Sequence, residues 1–209
     1  LELFTSQGCS SCPPADRLAA KFDKEPKFVV ISRPVDYWDR LGWKDTFASP
    51  ENTDRQRAYS RRGLGGYNGV YTPQSVVDGL LGEVGSNERT IRRYAGQAAK
   101  AKRAAIRIRK LDSGGYGVGI AGSSSGQAEL TLTAVARSET VAIGRGENGG
   151  RKVTYTNVLI DERRIADWSG GSASLRIEPH QLRVQGADRY AVILREPNAG
   201  RVLAARWLN

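Results

Sequence analysis

The sequence predicts an α/β domain, a mixed sheet flanked by helices, over residues 1–103, and an all-β sandwich-like domain over residues 104–209. Three observations predict it. The first hundred residues alternate short apolar runs with stretches of helical periodicity. Beyond Ala104, strand-like runs at 104–110, 115–121, 127–136, 140–145, 152–160, 173–177, 189–195 and 201–207 are separated by Gly, Ser and Asn. Many short strands at such spacing are the pattern of a sandwich. The basic stretch from Lys100 to Arg103 marks the boundary, near 100–104.

Residues 1–5 read as a buried strand. Pro13 and Pro14 fit only in the first turn of a helix, where the missing N–H groups have no intrahelical partner. They set its start near Ser10 or Ser11. Ala15, Leu18, Ala19 and Phe22 follow at helical spacing, with Asp16 and Arg17 on the other side. Residues 28–31 are apolar on both faces, as in a covered parallel strand, so the N-terminus reads as a β-α-β unit. Residues 35–45 are aromatic-rich without a period and read as a structured loop. Ser49 and Pro50 are an N-cap and first helical position. That helix runs to Arg61 or Arg62, and Gly63 ends it. Gly65, Gly66 and Gly69 mark loop. Residues 70–82 read as a hairpin turning at Asp78-Gly79. Asn87 caps a last helix with Ile91, Tyr94, Ala95 and Ala98 on its inner face.

The chain has 209 residues, 39% hydrophobic and 26% charged, the composition of a globular protein rather than a disordered or fibrous one. No apolar run approaches the roughly 20 residues that span a bilayer, so no membrane insertion is expected. Leu1 already lies in strand-like sequence, so a trimmed or mature form is expected. Net charge is +10, divided as +5 for residues 1–103 and +5 for residues 104–209. An excess spread this evenly argues against nucleic acid as a partner. Two cysteines and one histidine fall short of the usual four ligands of a structural zinc site. Asp36, Asp39 and Asp45 read as caps and salt-bridge partners, and His180 as surface, so no metal is expected. The glycine-rich run Gly144-Arg145-Gly146-Glu147-Asn148-Gly149-Gly150 lies between strands, without the following helix of a phosphate loop. It reads as a turn, and no cofactor is expected.

Cys9-Ser10-Ser11-Cys12 holds both cysteines of the chain. It stands where a strand passes into a helix, and backbone N–H groups and the helix dipole there favour a thiolate. Two readings follow. In one, Cys9 is a nucleophile with a pKa below ~8.5 and Cys12 is the resolving thiol. In the other, the pair is a structural disulfide, although so short a loop removes little chain entropy. Tyr37, Trp38 and Trp43 read either as a peptide-binding surface beside Cys9 or as packing for their loop.

The order strand, C-x-x-C, helix, strand, helix, Thr-Pro, hairpin, helix resembles the thioredoxin fold. The run Glu2-Leu3-Phe4-Thr5-Ser6-Gln7-Gly8-Cys9-Ser10-Ser11-Cys12-Pro13-Pro14-Ala15-Asp16 resembles a bacterial, usually secreted, thioredoxin-like family of unknown function. Val35-Asp36-Tyr37-Trp38-Asp39-Arg40-Leu41-Gly42-Trp43-Lys44-Asp45, Tyr71-Thr72-Pro73-Gln74, residues 143–150 and Thr154-Tyr155-Thr156-Asn157 resemble it too. The resemblance implies a thioredoxin-like α/β fold for the first domain and a cis Thr72–Pro73 bond. It also implies a groove at Tyr71 and Thr72, with Trp38 beside it, where a protein or peptide thiol or disulfide would bind. An extracytoplasmic location, periplasmic or secreted, goes with it. Two departures accompany these implications. Arg33-Pro34 stand where the family has Phe-His. Leu3 stands where thioredoxins carry a buried Asp, which leaves proton transfer to Asp36 or water. The expected function is a thiol–disulfide oxidoreductase acting through Cys9 and Cys12. The alternative is a non-catalytic binding module with a static disulfide that recognises a peptide or envelope protein.

Overall fold

A computed structural model describes residues 1–66, 69–101 and 104–208. β1 (Glu2–Thr5) is buried throughout and pairs in parallel with β2 (Ile31–Pro34). Between them runs α1 (Pro13–Asp23), which buries Ala15, Leu18, Ala19 and Phe22 against Leu3, Phe28 and Val30. The strand begins three residues beyond the start of the apolar run at 28–31. Asp16, expected on the outer face of α1, is buried. α2 (Pro50–Tyr59) starts where the Ser49 hydroxyl accepts from the Asn52 N–H at 3.3 Å. It ends in a wide turn, Ser60–Leu64, with Gly63 at φ 81°. β3 (Gln74–Val77) and β4 (Leu81–Val84) form the hairpin, with Asp78 at φ 48° and Gly79 at φ 65°. Asn87 accepts from the Thr90 N–H at 3.2 Å and caps α3 (Glu88–Lys100), which buries Ile91 and Ala98.

The second half contributes β5 (Ala104–Lys110), β6 (Tyr116–Gly122), β7 (Ala128–Ala142), β8 (Lys152–Trp168), β9 (Gly171–Ile177), β10 (Arg189–Arg195) and β11 (Val202–Trp207). The runs at 127–136 and 140–145 are one strand, and the run at 152–160 continues to Trp168. Lys102 and Arg103, within the expected boundary, lie outside the described residues.

The predicted fold class is corrected by the sheet order. Eight strands, in the order β11-β10-β7-β8-β2-β1-β3-β4, form one mixed sheet, and β5-β6-β9 form a second of three strands. The molecule is mostly β with three short α-helices among the described residues. It is not a helix-flanked thioredoxin-like fold followed by a separate sandwich. The physical reason lies at β2. Its outer edge would leave backbone groups unpaired, and β8 occupies that edge in parallel, Ser32 opposite Val158. The three-stranded sheet sends Ile106, Val118, Ile120 and Ile177 onto Leu130, Leu132, Val192 and Leu194 of the large sheet.

The large sheet curls. The Val202 N–H donates to the Asp78 carbonyl at 2.8 Å, so the β3–β4 turn meets the start of β11. A Cβ on Gly79 would fall 2.3 Å from the Gly200 carbonyl oxygen. Glycine is therefore required there for contact as well as for positive φ. On the concave face Arg195 of β10 reaches Glu2 of β1 at 3.1 Å, across three intervening strands. Arg33 joins them, 2.6 Å from Glu2 and 2.8 Å from Glu162, and Arg55 of α2 lies 2.7 Å from Glu162. Burial alone would raise the Glu2 carboxyl. The guanidinium groups of Arg195, Arg33 and Arg55 overcome that and hold it well below the carboxylate range.

Candidate functional site

Cys9 and Cys12 form a disulfide at the start of α1, with Cα atoms 5.4 Å apart. Cys12 is the N-cap residue, and its carbonyl accepts from the Ala15 and Asp16 N–H groups at 2.8 and 3.1 Å. Pro13 and Pro14 supply no N–H, so two of the donors a helix N-terminus ordinarily presents are missing. The polar contact to the sulfur comes instead from a side chain: the Ser11 hydroxyl lies 3.4 Å from Cys9 Sγ. Ser10 and Ser11 are exposed, yet both cysteines are fully buried.

The Thr72–Pro73 bond is cis. The Ser11 hydroxyl donates to the Thr72 carbonyl at 3.5 Å, which sets this segment beside the C-x-x-C. The Trp38 indole donates to the Thr72 hydroxyl at 2.8 Å, so the loop after β2 closes the other side. Cys9, Cys12, Thr72, Pro73 and Trp38 are therefore one cluster. Tyr71 stands behind it: its carbonyl accepts from the Gln56 amide at 2.6 Å, and burial pushes its phenol up to about 12. Asp36 faces away, accepting from the Thr53 hydroxyl of α2 at 2.6 Å. Asp45 accepts from the Gln7 N–H at 2.7 Å, and Asp39 accepts from the Asp45 N–H at 3.0 Å. Tyr37 donates to Gln56 at 3.1 Å and Trp43 to Gln7 at 2.9 Å. Among the described residues no three His, Cys, Asp or Glu side chains are placed to hold a metal, and no helix is long and apolar enough to cross a membrane.

Two features were missed in the sequence. The first is the glycine-rich connection between β7 and β8, read as a plain turn. It lies on the C-x-x-C. The Glu147 carboxylate accepts from the Ser10 N–H at 3.1 Å, and contact with Ser10 holds that carboxyl below its usual value. The Asn148 amide donates to the Gln7 and Cys9 carbonyls at 3.0 and 2.8 Å. A Cβ on Gly144 would fall 2.9 Å from the Trp43 ring, so glycine lets the strand end rest on that indole. No local signal links residues 147 and 10.

The second feature is Asp16, one turn beyond Cys12. Burial pushes its carboxyl up to about 7. The Thr5 hydroxyl, donating to Oδ1 at 2.8 Å, and Arg17 pull it down, while Asp45 pushes it further up. Asp16 Oδ2 is buried without a hydrogen-bond partner among the described residues. Tyr155 of β8 senses both Asp16 and Asp45. The i, i+4 spacing from Cys12 was the available signal.

Fold and site define a mostly β protein with a buried C-x-x-C disulfide clasped by a distant hairpin. Residues 1–195 match the family described as "Protein of unknown function (DUF1223)", and the chain belongs to that family. It is similar to a protein of Agrobacterium tumefaciens whose crystal structure was solved by a structural-genomics consortium. The two share 29% sequence identity, the TM-score is 0.84, and the match covers 99% of this chain and 91% of that one. No curated protein matches.

Proposed function

We propose that this protein exchanges disulfides with protein or peptide thiols through Cys9 and Cys12, in an oxidising extracytoplasmic compartment. The observation that carries the reading is the cluster itself. A disulfide at a helix start lies against a cis Thr72–Pro73 segment and a tryptophan, with a hydroxyl on its first sulfur. Disulfides persist in such compartments and not in a reducing cytosol.

In the reductive direction the Cys9 thiolate attacks one sulfur of a substrate disulfide and displaces the other as a thiolate. The Cys12 thiolate then displaces the remaining substrate sulfur and closes the Cys9–Cys12 bond. The protein pair gives up two electrons and two protons, and the substrate sulfurs take them. Oxidation of a substrate dithiol is the reverse. In this scheme the Ser11 hydroxyl turns its proton from the Thr72 carbonyl to the Cys9 thiolate, and Asp16 rather than Asp36 takes the proton of Cys12. The Thr72 backbone orients the incoming strand.

The alternative, a binding module with a static disulfide, is favoured by one observation: both cysteines are fully buried under the 144–150 connection. Trapping separates the two. In Cys12→Ala, Cys9 should form a mixed disulfide with a cystine-containing peptide that persists until dithiothreitol is added. In Cys9→Ala, the remaining Cys12 should react at least about tenfold more slowly. No adduct on Cys9, or equal rates for the two variants, would leave the binding module as the better account.

A further inference from the structure

A cavity of about 250 Å³ opens where the start of β1, α3 and the β10–β11 hairpin meet. It shares no lining residue with the disulfide cluster. Its lining is mixed, with Phe28, Val29, Ile31, Ala95, Ile193 and Val202 forming the apolar part. Glu2 and Arg195 also line it, and both are buried.

Those two charges belong to the network on the concave face. Three guanidinium groups, of Arg33, Arg55 and Arg195, meet the carboxylates of Glu2 and Glu162. Tyr59 adds no charge, because burial holds its phenol protonated. One positive charge is left in excess. Arg195 is the least satisfied member. Its Nη1 donates to the Tyr59 hydroxyl at 2.8 Å and its Nη2 lies 3.1 Å from the Glu2 carboxylate, but Nε has no hydrogen-bond partner among the described residues. Arg55 is the partly exposed member of the three, so what stays buried is the unpaired Nε–H of Arg195, which is unfavourable unless an acceptor accompanies it.

We propose that this cavity binds a small amphiphilic anion, an aliphatic monocarboxylate of medium chain length. The alkyl chain lies along the apolar part of the lining and the carboxylate is directed toward Arg195. One excess charge suits a monoanion rather than a phosphate dianion. The inference is independent of the disulfide chemistry and survives its failure.

Octanoate and 1-octanol share a chain and differ in the head group, so titrating each by calorimetry isolates the charge. Octanoate should bind one per chain and at least tenfold more tightly than 1-octanol. Arg195→Met should bring the two affinities together. Because that change disturbs a buried network, a second variant is needed. Gly96 lines the cavity from the exposed side of α3, and a Cβ there meets nothing within 4 Å. Gly96→Phe should keep the fold and weaken octanoate at least tenfold. Equal affinity of octanoate and 1-octanol for the unmodified protein, or undiminished octanoate binding by Gly96→Phe, would overturn the proposal.

Discussion

Asp16 is the residue on which burial and chemistry meet. Its carboxyl ordinarily titrates at 3.8 and here at about 7. Between those values the folded protein holds a proton that the unfolded chain has released, so stability falls as pH rises through the interval and levels off above it. Asp16→Asn removes this penalty. Relative to the parent, the variant should gain on the order of 2–3 kcal/mol between pH 5 and pH 8, measured by urea unfolding at each pH. A pH-independent difference would show that Asp16 does not titrate in that range. The same variant should slow resolution of a Cys9 mixed disulfide, because Cys12 loses its proton acceptor. Glu2 shows the opposite sign. Its carboxyl is held low by Arg195, Arg33 and Arg55, so its contribution is present above pH 4.5 and lost on acidification. Glu2→Gln leaves Arg33 and Arg195 short of a charge and should cost about 3–5 kcal/mol at neutral pH, read from the urea midpoint. At this scale the paired cysteines were legible from their spacing, whereas the cis Thr72–Pro73 bond followed only from the family resemblance. Asp16 was placed on the wrong face of α1, since an acidic residue next to Arg17 reads as solvated surface.

Among the elements, the β7–β8 connection decides whether the disulfide can be reached. Ser10 and Ser11 are exposed, but the sulfurs lie beneath a loop held by Asn148 to the Gln7 and Cys9 carbonyls and by Glu147 to the Ser10 N–H. Exchange therefore requires local opening, and its rate should follow the opening free energy. Asn148→Ala removes both carbonyl contacts, a change of about 1–3 kcal/mol. Reduction of Cys9–Cys12 by dithiothreitol should accelerate roughly tenfold or more, followed by thiol alkylation and mass. An unchanged rate would mean that the sulfurs are reached by another route. The helices and the Asp78-Gly79 hairpin were legible because caps, prolines and positive-φ residues act locally. The loop's role was not, because its partners lie more than 130 residues away in the chain.

For the whole molecule, the two halves of the chain share one sheet rather than sitting side by side. Arg33 with Glu162, Arg195 with Glu2, Asp23 with Arg189 and the Ser32 hydroxyl with the Thr156 carbonyl all join residues on either side of 103. Ile31, Val135 and Ile193 are one apolar cluster. A fragment of residues 1–103 should therefore fail to give dispersed amide signals by NMR, while the whole chain unfolds in one transition. A folded fragment would contradict this sharing. Most strands and the β1–β2 pairing could be read from the sequence, but the strand on the outer edge of β2 could not. The register of Ser32 opposite Val158 is set by edge pairing and a shared core, and neither leaves a local pattern.

The measurement that bears most directly on the proposed chemistry is the reduction potential of the Cys9–Cys12 pair, by equilibration against glutathione with alkylation of the freed thiols. Exchange activity predicts a value between about −120 and −270 mV, with Ser11→Ala shifting it toward the oxidised form because the thiolate loses a donor. A value below about −300 mV, or a pair that glutathione cannot open, would make the bond a structural clasp and contradict the proposed chemistry.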